Sequence, residues 1–337
     1  MRIHHNPSPE TVKLAQESVP GERHLPSPPL AHADSKVNGG ILTILSFIAV
    51  SVFWGTSAPA IRYTTWFISP FWMVVLRFSI AGGLLFFGLS VAGKRPKLAS
   101  VPRVLPSGIA LSVANVLVTL GFQRVQAGTG ALLLATTAVT FAVVDLLWPG
   151  GSSKPSWYVW VGLLLGLVGV AVLVSGKGQS ANTHWSGYLY LAGSCWAWAI
   201  ASVMQARYPT GLDSLQSSAL QMLIAAACVL PAPLLLRHPL PSLEEPRAWL
   251  ALGFLVITAS LIAFVAFVYM IRHIPPYLAG SYTYFNALVA AIVGWAWLGE
   301  RLDLRFLIAA VLVISGVVMV QLKARAQVTE PSDSPVP

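Results

Sequence analysis

The stretches "VVLRFSIAGG", Val74 to Gly83, and "SALQMLIAAA", Ser218 to Ala227, overlay without a gap at an offset of 144, with Leu76, Ile80 and Ala81 repeated as Leu220, Ile224 and Ala225. "SAPAIRYTT" before the first overlays "SVMQARYPT" before the second at an offset of about 145, and "FQRVQAGTGA" overlays "YMIRHIPPYLAG" at about 148. The extra residues fall in "RHPLPSLEEPR", a loop. Self-similarity over so long a period means that the chain is two copies of one folding unit.

Composition says what the unit is made of. Of 337 residues 55% are hydrophobic and 10% charged, against roughly 25% charged in a soluble domain. Apolar runs long enough to cross a hydrocarbon core of ~30 Å recur along the chain, which excludes a large soluble enzyme. Ten spans are expected: 41–60, 70–92, 104–123, 128–148, 157–174, 187–205, 215–236, 248–271, 277–298 and 306–322. The short "RVQAG" leaves open whether the third and fourth are one long bent helix. Residues 1–38, rich in Pro, Ser, His and charge, read as a disordered cytoplasmic tail, and 324–337 as another. The first segment lacks the apolar stretch and cleavage site of a secretory signal, so the first span is expected to stay as an anchor. Between the tails lie two five-helix repeats, 39–177 and 178–323. Because five is odd, the repeats face opposite ways across the membrane, the construction of secondary transporters, with a site expected near the midplane between them. The predicted fold class is therefore all-α integral membrane, about ten transmembrane helices as two inverted five-helix repeats.

A net charge of +9 raises the question of nucleic acid. Its distribution answers in favour of membrane topology. With the N-terminus inside, thirteen Lys and Arg fall on cytoplasmic loops and tails, including Lys94, Arg95, Lys97 and Arg103. Seven fall outside: Arg62, Arg124, Lys177, Arg237, Arg247, Arg301 and Arg305. This bias places both termini in the cytoplasm. The partners expected are a small-molecule substrate and the lipid bilayer, not nucleic acid, and a homodimer is left open.

The charged turn "WLGERLDLRF", Trp297 to Phe306, joins the ninth and tenth spans, whereas its counterpart after Trp148, "PGGSSKPS", has kept Pro, Gly and one Lys but no acid. A solvated turn explains these charges without catalysis. Together with Trp54-Gly55 and "APAIR" in the first span, "LRF" with Ala81 in the second, "NALVAAIVGWAWLGERL" in the ninth and "AAVLVISGVVMV" in the tenth, the chain resembles the EamA-type exporters of the drug/metabolite transporter superfamily over residues 41–322. The resemblance implies a ten-helix inner-membrane carrier that exports amino acids or other small metabolites by alternating access. It also favours two helices around "RVQAG". Family members often carry Asn-Pro where this chain has Asn286-Ala287, which puts the usual break of the ninth helix in question.

Polar and aromatic side chains at mid-span are the candidate substrate-binding residues: Trp54, Thr56, Asn115, Thr136, Trp198, Tyr282, Tyr284 and Asn286. Aromatic walls suit a substrate with an apolar body and a small polar head. Asn286 reads equally as a site residue and as an amide bonding a neighbouring helix. Ser and Thr in such helices more often bond their own backbone. Arg77 is expected to be a gate or anchor contact with carbonyls, with attraction of a carboxylate substrate as the second reading. It lies seven residues past Pro70, about 10 Å along a helix at ~1.5 Å per residue.

No catalytic residue, cofactor or metal is expected. Cys195 and Cys228 lie in different spans, His184, His238 and His273 at span ends, and "EEPR" in a loop without a nearby His. Gly162, Gly166 and Gly169 fit close helix packing rather than a phosphate loop. Two other classes compete with metabolite export. An exporter of lipophilic cationic drugs needs a mid-membrane acid, and a non-transporting membrane scaffold needs a sealed core. Asp145 is the one acid of twelve inside a span. Three residues from Trp148, it is expected to be solvated or to cap the helix, leaving transport facilitative or coupled by other groups.

Overall fold

The computed structural model describes residues 31–149, 157–174, 184–274, 279–280, 282–299 and 303–329. Contacts divide the chain into Met1–Ile41 and Leu42–Pro337, and the helices that cross and pack belong to the second unit. No strand occurs among the described residues. The helices are α1 (Ala31–Thr64), α2 (Pro70–Val91), α3 (Val101–Arg124), α4 (Ala127–Leu134), α5 (Thr137–Leu147), α6 (Trp157–Val174), α7 (Trp185–Arg207), α8 (Ser214–Val229), α9 (Pro231–Leu235), α10 (Pro246–Phe254), a π-helical segment (Leu255–Phe264), α11 (Val265–His273), α12 (Tyr282–Leu298) and α13 (Leu304–Thr329).

Six of these passes are long and apolar enough to cross a bilayer, α4–α5, α8–α9 and α10–α11 each counting as one. With α6, α7, α12 and α13 they make the expected ten, and the chain is a multi-pass membrane protein built from two inverted five-helix repeats. The large apolar side chains that would be a fault in a soluble protein, such as Ile44, Phe87, Ile292 and Val311, are exposed on the bundle surface, where lipid replaces water as solvent. Successive passes alternate, so Thr64, Pro70, Arg124, Ala127 and Trp185 share one end of the bundle, the Thr64 end. Val91, Val101, Leu147, Arg207 and Ser214 share the other, the Val91 end.

"RVQAG" does separate two helices, because Val125 is extended and Ala127 starts α4. The ninth pass runs unbroken through Asn286. Breaks occur instead in the fourth pass, at Ala135–Thr136, and in the eighth, as the π segment. The backbone is helical from Ala31 and through Thr329, since no proline lies between Pro29 and Pro59 or between Lys323 and Pro331 to stop a helix from propagating outward. Residues 1–30 and 330–337 lie outside the described residues.

Passes related by the repeat pack on each other: α2 on α8, α4 on α12 and α6 on α13. Small residues make these approaches possible. A Cβ on Gly316 of α13 would strike the Gly162 carbonyl of α6. A Cβ on Gly55 of α1 would lie 2.6 Å from Val289 Cβ and 3.2 Å from Asn286 Cα of α12. The Trp54-Gly55 pair thus seats α1 directly against the ninth pass. Gly55→Leu is expected to lower stability by about 1–3 kcal/mol through overpacking, read as an earlier thermal transition of the purified protein; an unchanged transition would mean that α1 does not press on α12.

Candidate functional site

Between the repeats lies a cavity of about 120 Å³, lined by Trp54, Ser57, Ala58 and Ile61 of α1, Arg77 and Phe78 of α2, Asn115, Val118 and Phe122 of α3, Ala131 and Leu134 of α4, Ser194 and Trp198 of α7, Ala259 and Phe264 of the π segment, and Tyr282, Thr283 and Asn286 of α12. Its lining runs from Phe122, two residues before Arg124, to Tyr282, the first residue of α12.

Toward the Val91 end an aromatic cluster closes it. The Trp54 ring lies 5.2 Å from Trp198, 5.2 Å from Phe267 and 5.1 Å from Tyr282, and Trp198 lies 5.1 Å from Phe267. Mostly edge-to-face and tilted, these pairs set positive ring edges against negative faces. Each polar tip has a partner: Trp198 Nε1 donates to Tyr282 Oη at 3.1 Å, and Trp54 Nε1 to the Ala259 carbonyl at 2.8 Å. Ala259 sits in the π segment, so this bond ties α1 to the eighth pass. At the break in the fourth pass, the Ala135 carbonyl accepts from Thr283 Oγ1 at 3.4 Å. Both helix irregularities therefore sit against the cavity wall.

Arg77 is 7% exposed and donates from Nη2 to Asn115 Oδ1 at 3.0 Å. Asn115 is fixed by its own helix, Nδ2 donating to the Leu111 carbonyl at 3.1 Å. Asn286, with its amide turned to suit its neighbours, donates to the Ser51 carbonyl at 2.7 Å and that of Tyr282 at 3.2 Å. It therefore both lines the cavity and ties α12 to α1.

Trp54, Arg77, Asn115, Trp198, Tyr282 and Asn286 meet here; three other sequence candidates do not. Thr56 and Tyr284 are absent from the lining although their neighbours Ser57 and Thr283 belong to it, since each successive helix position turns by about 100°. Thr56 donates to carbonyls of its own helix and faces a groove shared with Tyr63, Arg247 and Trp297. Tyr284 is buried away from the cavity. Thr136 sits in the break, donating to the Leu133 carbonyl and contacting Cys195 Sγ at 3.7 Å. Phe78, Phe122, Phe264 and Phe267 were not among the candidates. A phenylalanine in a lipid-length apolar run carries no mark that separates lining from packing.

The Val91 end is held by polar contacts. Asp145, expected to be solvated or capping, is 2% exposed, and its Oδ1 accepts from Arg207 Nη2 at 2.5 Å and Nε at 3.0 Å. The expectation fails because depth along one helix says nothing of the neighbour that α7 lays over that helix end. Beside it Gln221 donates to Ser107 Oγ at 2.8 Å and to Gln205 Oε1, and Gln205 to Ser217 Oγ at 3.3 Å. Gln221, the repeat partner of Arg77, lies seven residues from the start of α8, as Arg77 does from the start of α2. In the turn after Trp297, Glu300 and Arg301 lie outside the described residues, while Asp303 Oδ1 accepts from the Phe306 amide at 2.8 Å, a helix cap. Among the described residues no three His, Cys, Asp or Glu gather as a metal site.

Two opposed five-pass halves around a small aromatic cavity with a buried cation define a carrier-type membrane protein. The family described as EamA-like transporters matches residues 41–175 and again 185–322, so the chain belongs to that family, and it is a membrane transporter. It is 32% identical over 296 residues to the "Uncharacterized inner membrane transporter YedA" of Escherichia coli strain K12, covering 86% of this chain and 94% of that one. It is 23% identical over 285 residues to the "Probable terminal-alkyne amino-acid exporter" of Streptantibioticus cattleyicolor, covering 82% of this chain and 92% of that one. A solved crystal structure aligns with a TM-score of 0.65 at 21% identity, covering 85% of this chain and 98% of that one, a likeness of fold alone.

Proposed function

We propose that this protein exports amino acids or similar small metabolites across the inner membrane by alternating access, with the cavity between the repeats as the substrate site and both termini in the cytoplasm. The observation that carries the reading is the cavity itself: aromatic walls for an apolar body, with Arg77, Asn115, Ser57 and Asn286 as the few polar groups that fix a head. It is closed toward the Val91 end by the ring cluster and then by the Asp145–Arg207 pair. In the proposed orientation that end is cytoplasmic, so the cavity is closed on the cytoplasmic side. The relative named as an amino-acid exporter and the inner-membrane relative are in keeping with this reading. A scaffold has no use for such a cavity, and a carrier of lipophilic cations needs an acid in it, where the lining carries Arg77. The test loads proteoliposomes with a panel of amino acids, nucleosides and quaternary ammonium compounds and measures efflux; efflux of the quaternary ammonium compounds alone would overturn the reading.

Orientation has its own measurement. In a background without Cys195 and Cys228, a cysteine replacing Leu240, exposed in the loop after α9, is expected to react with an impermeant maleimide on intact cells, and one replacing exposed Lys97 is not. The opposite pattern would invert the assignment.

A further inference from the structure

The bundle treats its cations in two ways. Arg62, Arg124 and Arg272 lie near helix ends and donate to backbone carbonyls, of Val125, Leu120 and Leu212 respectively. Arg207 has the carboxylate of Asp145. Arg77 is deeper, seven residues into α2, and has neither. Of its five guanidinium donors, one reaches the neutral oxygen of Asn115, and Nε is buried without a partner. The Phe78 ring lies 4.7 Å from its Cζ. An arginine serving as an anchor would be satisfied by carbonyls, as the three at the helix ends are. Burying it within the membrane costs at least ~2.5–3.5 kcal/mol, and among the described residues no carboxylate offsets that, since the cavity lining contains none. What remains is a planar, donor-only group facing a cavity, pre-oriented by Asn115. The ligand that matches it is a carboxylate.

Nothing comparable waits for an ammonium group. The lining holds no carboxylate, and of its neutral acceptors the Ala259 carbonyl and Tyr282 Oη already accept from Trp54 and Trp198, which leaves only uncharged oxygens such as the Asn286 amide oxygen. The cavity, about 120 Å³, is also smaller than the ~300–1,000 Å³ of common ligand sites, which favours a compact body. We infer that Arg77 binds the carboxylate of the substrate, and that the carried species is a small apolar carboxylate whose amino group is dispensable. The inference rests on the export reading and narrows it from amino acids or similar small metabolites to small apolar carboxylates, 2-oxo acids among them.

The experiment measures efflux of labelled leucine from proteoliposomes containing the full chain, in competition with unlabelled leucine, 4-methyl-2-oxopentanoate, leucinamide and isoamylamine. The oxo acid is expected to compete within about 3-fold of leucine, and the two compounds without a carboxylate at least about 10-fold more weakly, the scale of a lost charge-assisted hydrogen bond. Arg77→Gln is expected to erase that difference and Arg77→Lys to keep part of it. Competition by isoamylamine equal to that of leucine, or an Arg77→Gln protein that keeps the ranking and loses only flux, would overturn the assignment and leave Arg77 as a structural group. If no leucine leaves the liposomes, the export reading fails by itself. Thermal unfolding of the purified protein with the same four compounds then decides the carboxylate: stabilisation by the two acids that vanishes in Arg77→Gln upholds it, and any other pattern removes it.

Discussion

Trp54→Ala is expected to reduce substrate efflux at least about 100-fold while Trp54→Phe loses no more than about 10-fold, measured in proteoliposomes at matched protein content. The ring makes three aromatic contacts, to Trp198, Phe267 and Tyr282, each worth ~0.5–1.5 kcal/mol beyond its buried area. Alanine removes all three and enlarges the cavity proposed as the substrate site. It also removes the Trp54 Nε1 bond to the Ala259 carbonyl, worth ~0.5–1.5 kcal/mol. Phenylalanine removes the same bond but keeps the wall, so the pair of variants separates shape from hydrogen bonding. Should both behave alike and elute as one species in size-exclusion chromatography, the indole N–H and not the wall is what transport requires.

Arg207→Gln is expected to be the most destabilising change at the Val91 end, by about 3 kcal/mol, because it leaves the buried Asp145 carboxylate without its cation. Asp145→Asn should cost less, since the Arg207 side chain is 24% exposed and water takes over part of the carboxylate's role. The double variant Asp145→Leu with Arg207→Leu should regain most of the loss, as paired apolar groups often do. Because α5 belongs to the first repeat and α7 to the second, the pair also fastens the two halves together. A cysteine replacing Phe141, one turn from Asp145, in a background without native cysteines should therefore label at least about 10-fold faster from the Val91 end in the single variants, a change of about 1.4 kcal/mol in closure. Faster unfolding with labelling unchanged would reduce the pair to a local tie between α5 and α7.

The architecture was legible because it is written in periodicity and repetition. Apolar length gives the passes, and the overlay of Val74–Gly83 on Ser218–Ala227 gives two halves of opposite sense. The site was legible only where a residue is costly to bury. Arg77, Asn115, Asn286, Trp54, Trp198 and Tyr282 all carry polar atoms that a membrane interior tolerates only with a partner, and all six line the cavity. Thr56, Thr136 and Tyr284 do as well, but each finds its place elsewhere, since the helix face that looks inward depends on packing rather than on depth. Phe267 shows the converse. It touches Trp54, Trp198 and Tyr282 yet is indistinguishable in sequence from any lipid-facing phenylalanine. Asp145 was misjudged for a related reason: its partner Arg207 is 62 residues away, in the other repeat.

At equal distances from opposite membrane faces, the two halves hold unlike chemistry: a guanidinium at position 77, and at position 221 an amide knitted to Gln205 and Ser107. If the halves trade conformations during the cycle, a passing anion meets a fixed positive charge on one leg of the journey and only neutral dipoles on the other. No net work is gained, because a carrier without an energy source must obey the same equilibrium in both directions. The half-saturating concentrations on the two faces are then free to differ, provided that the maximal rates differ in compensation. In the proposed cycle, the charge at position 77 would make the carrier kinetically lopsided, saturating at one concentration from one compartment and at another from the other, while both fill to the same equilibrium.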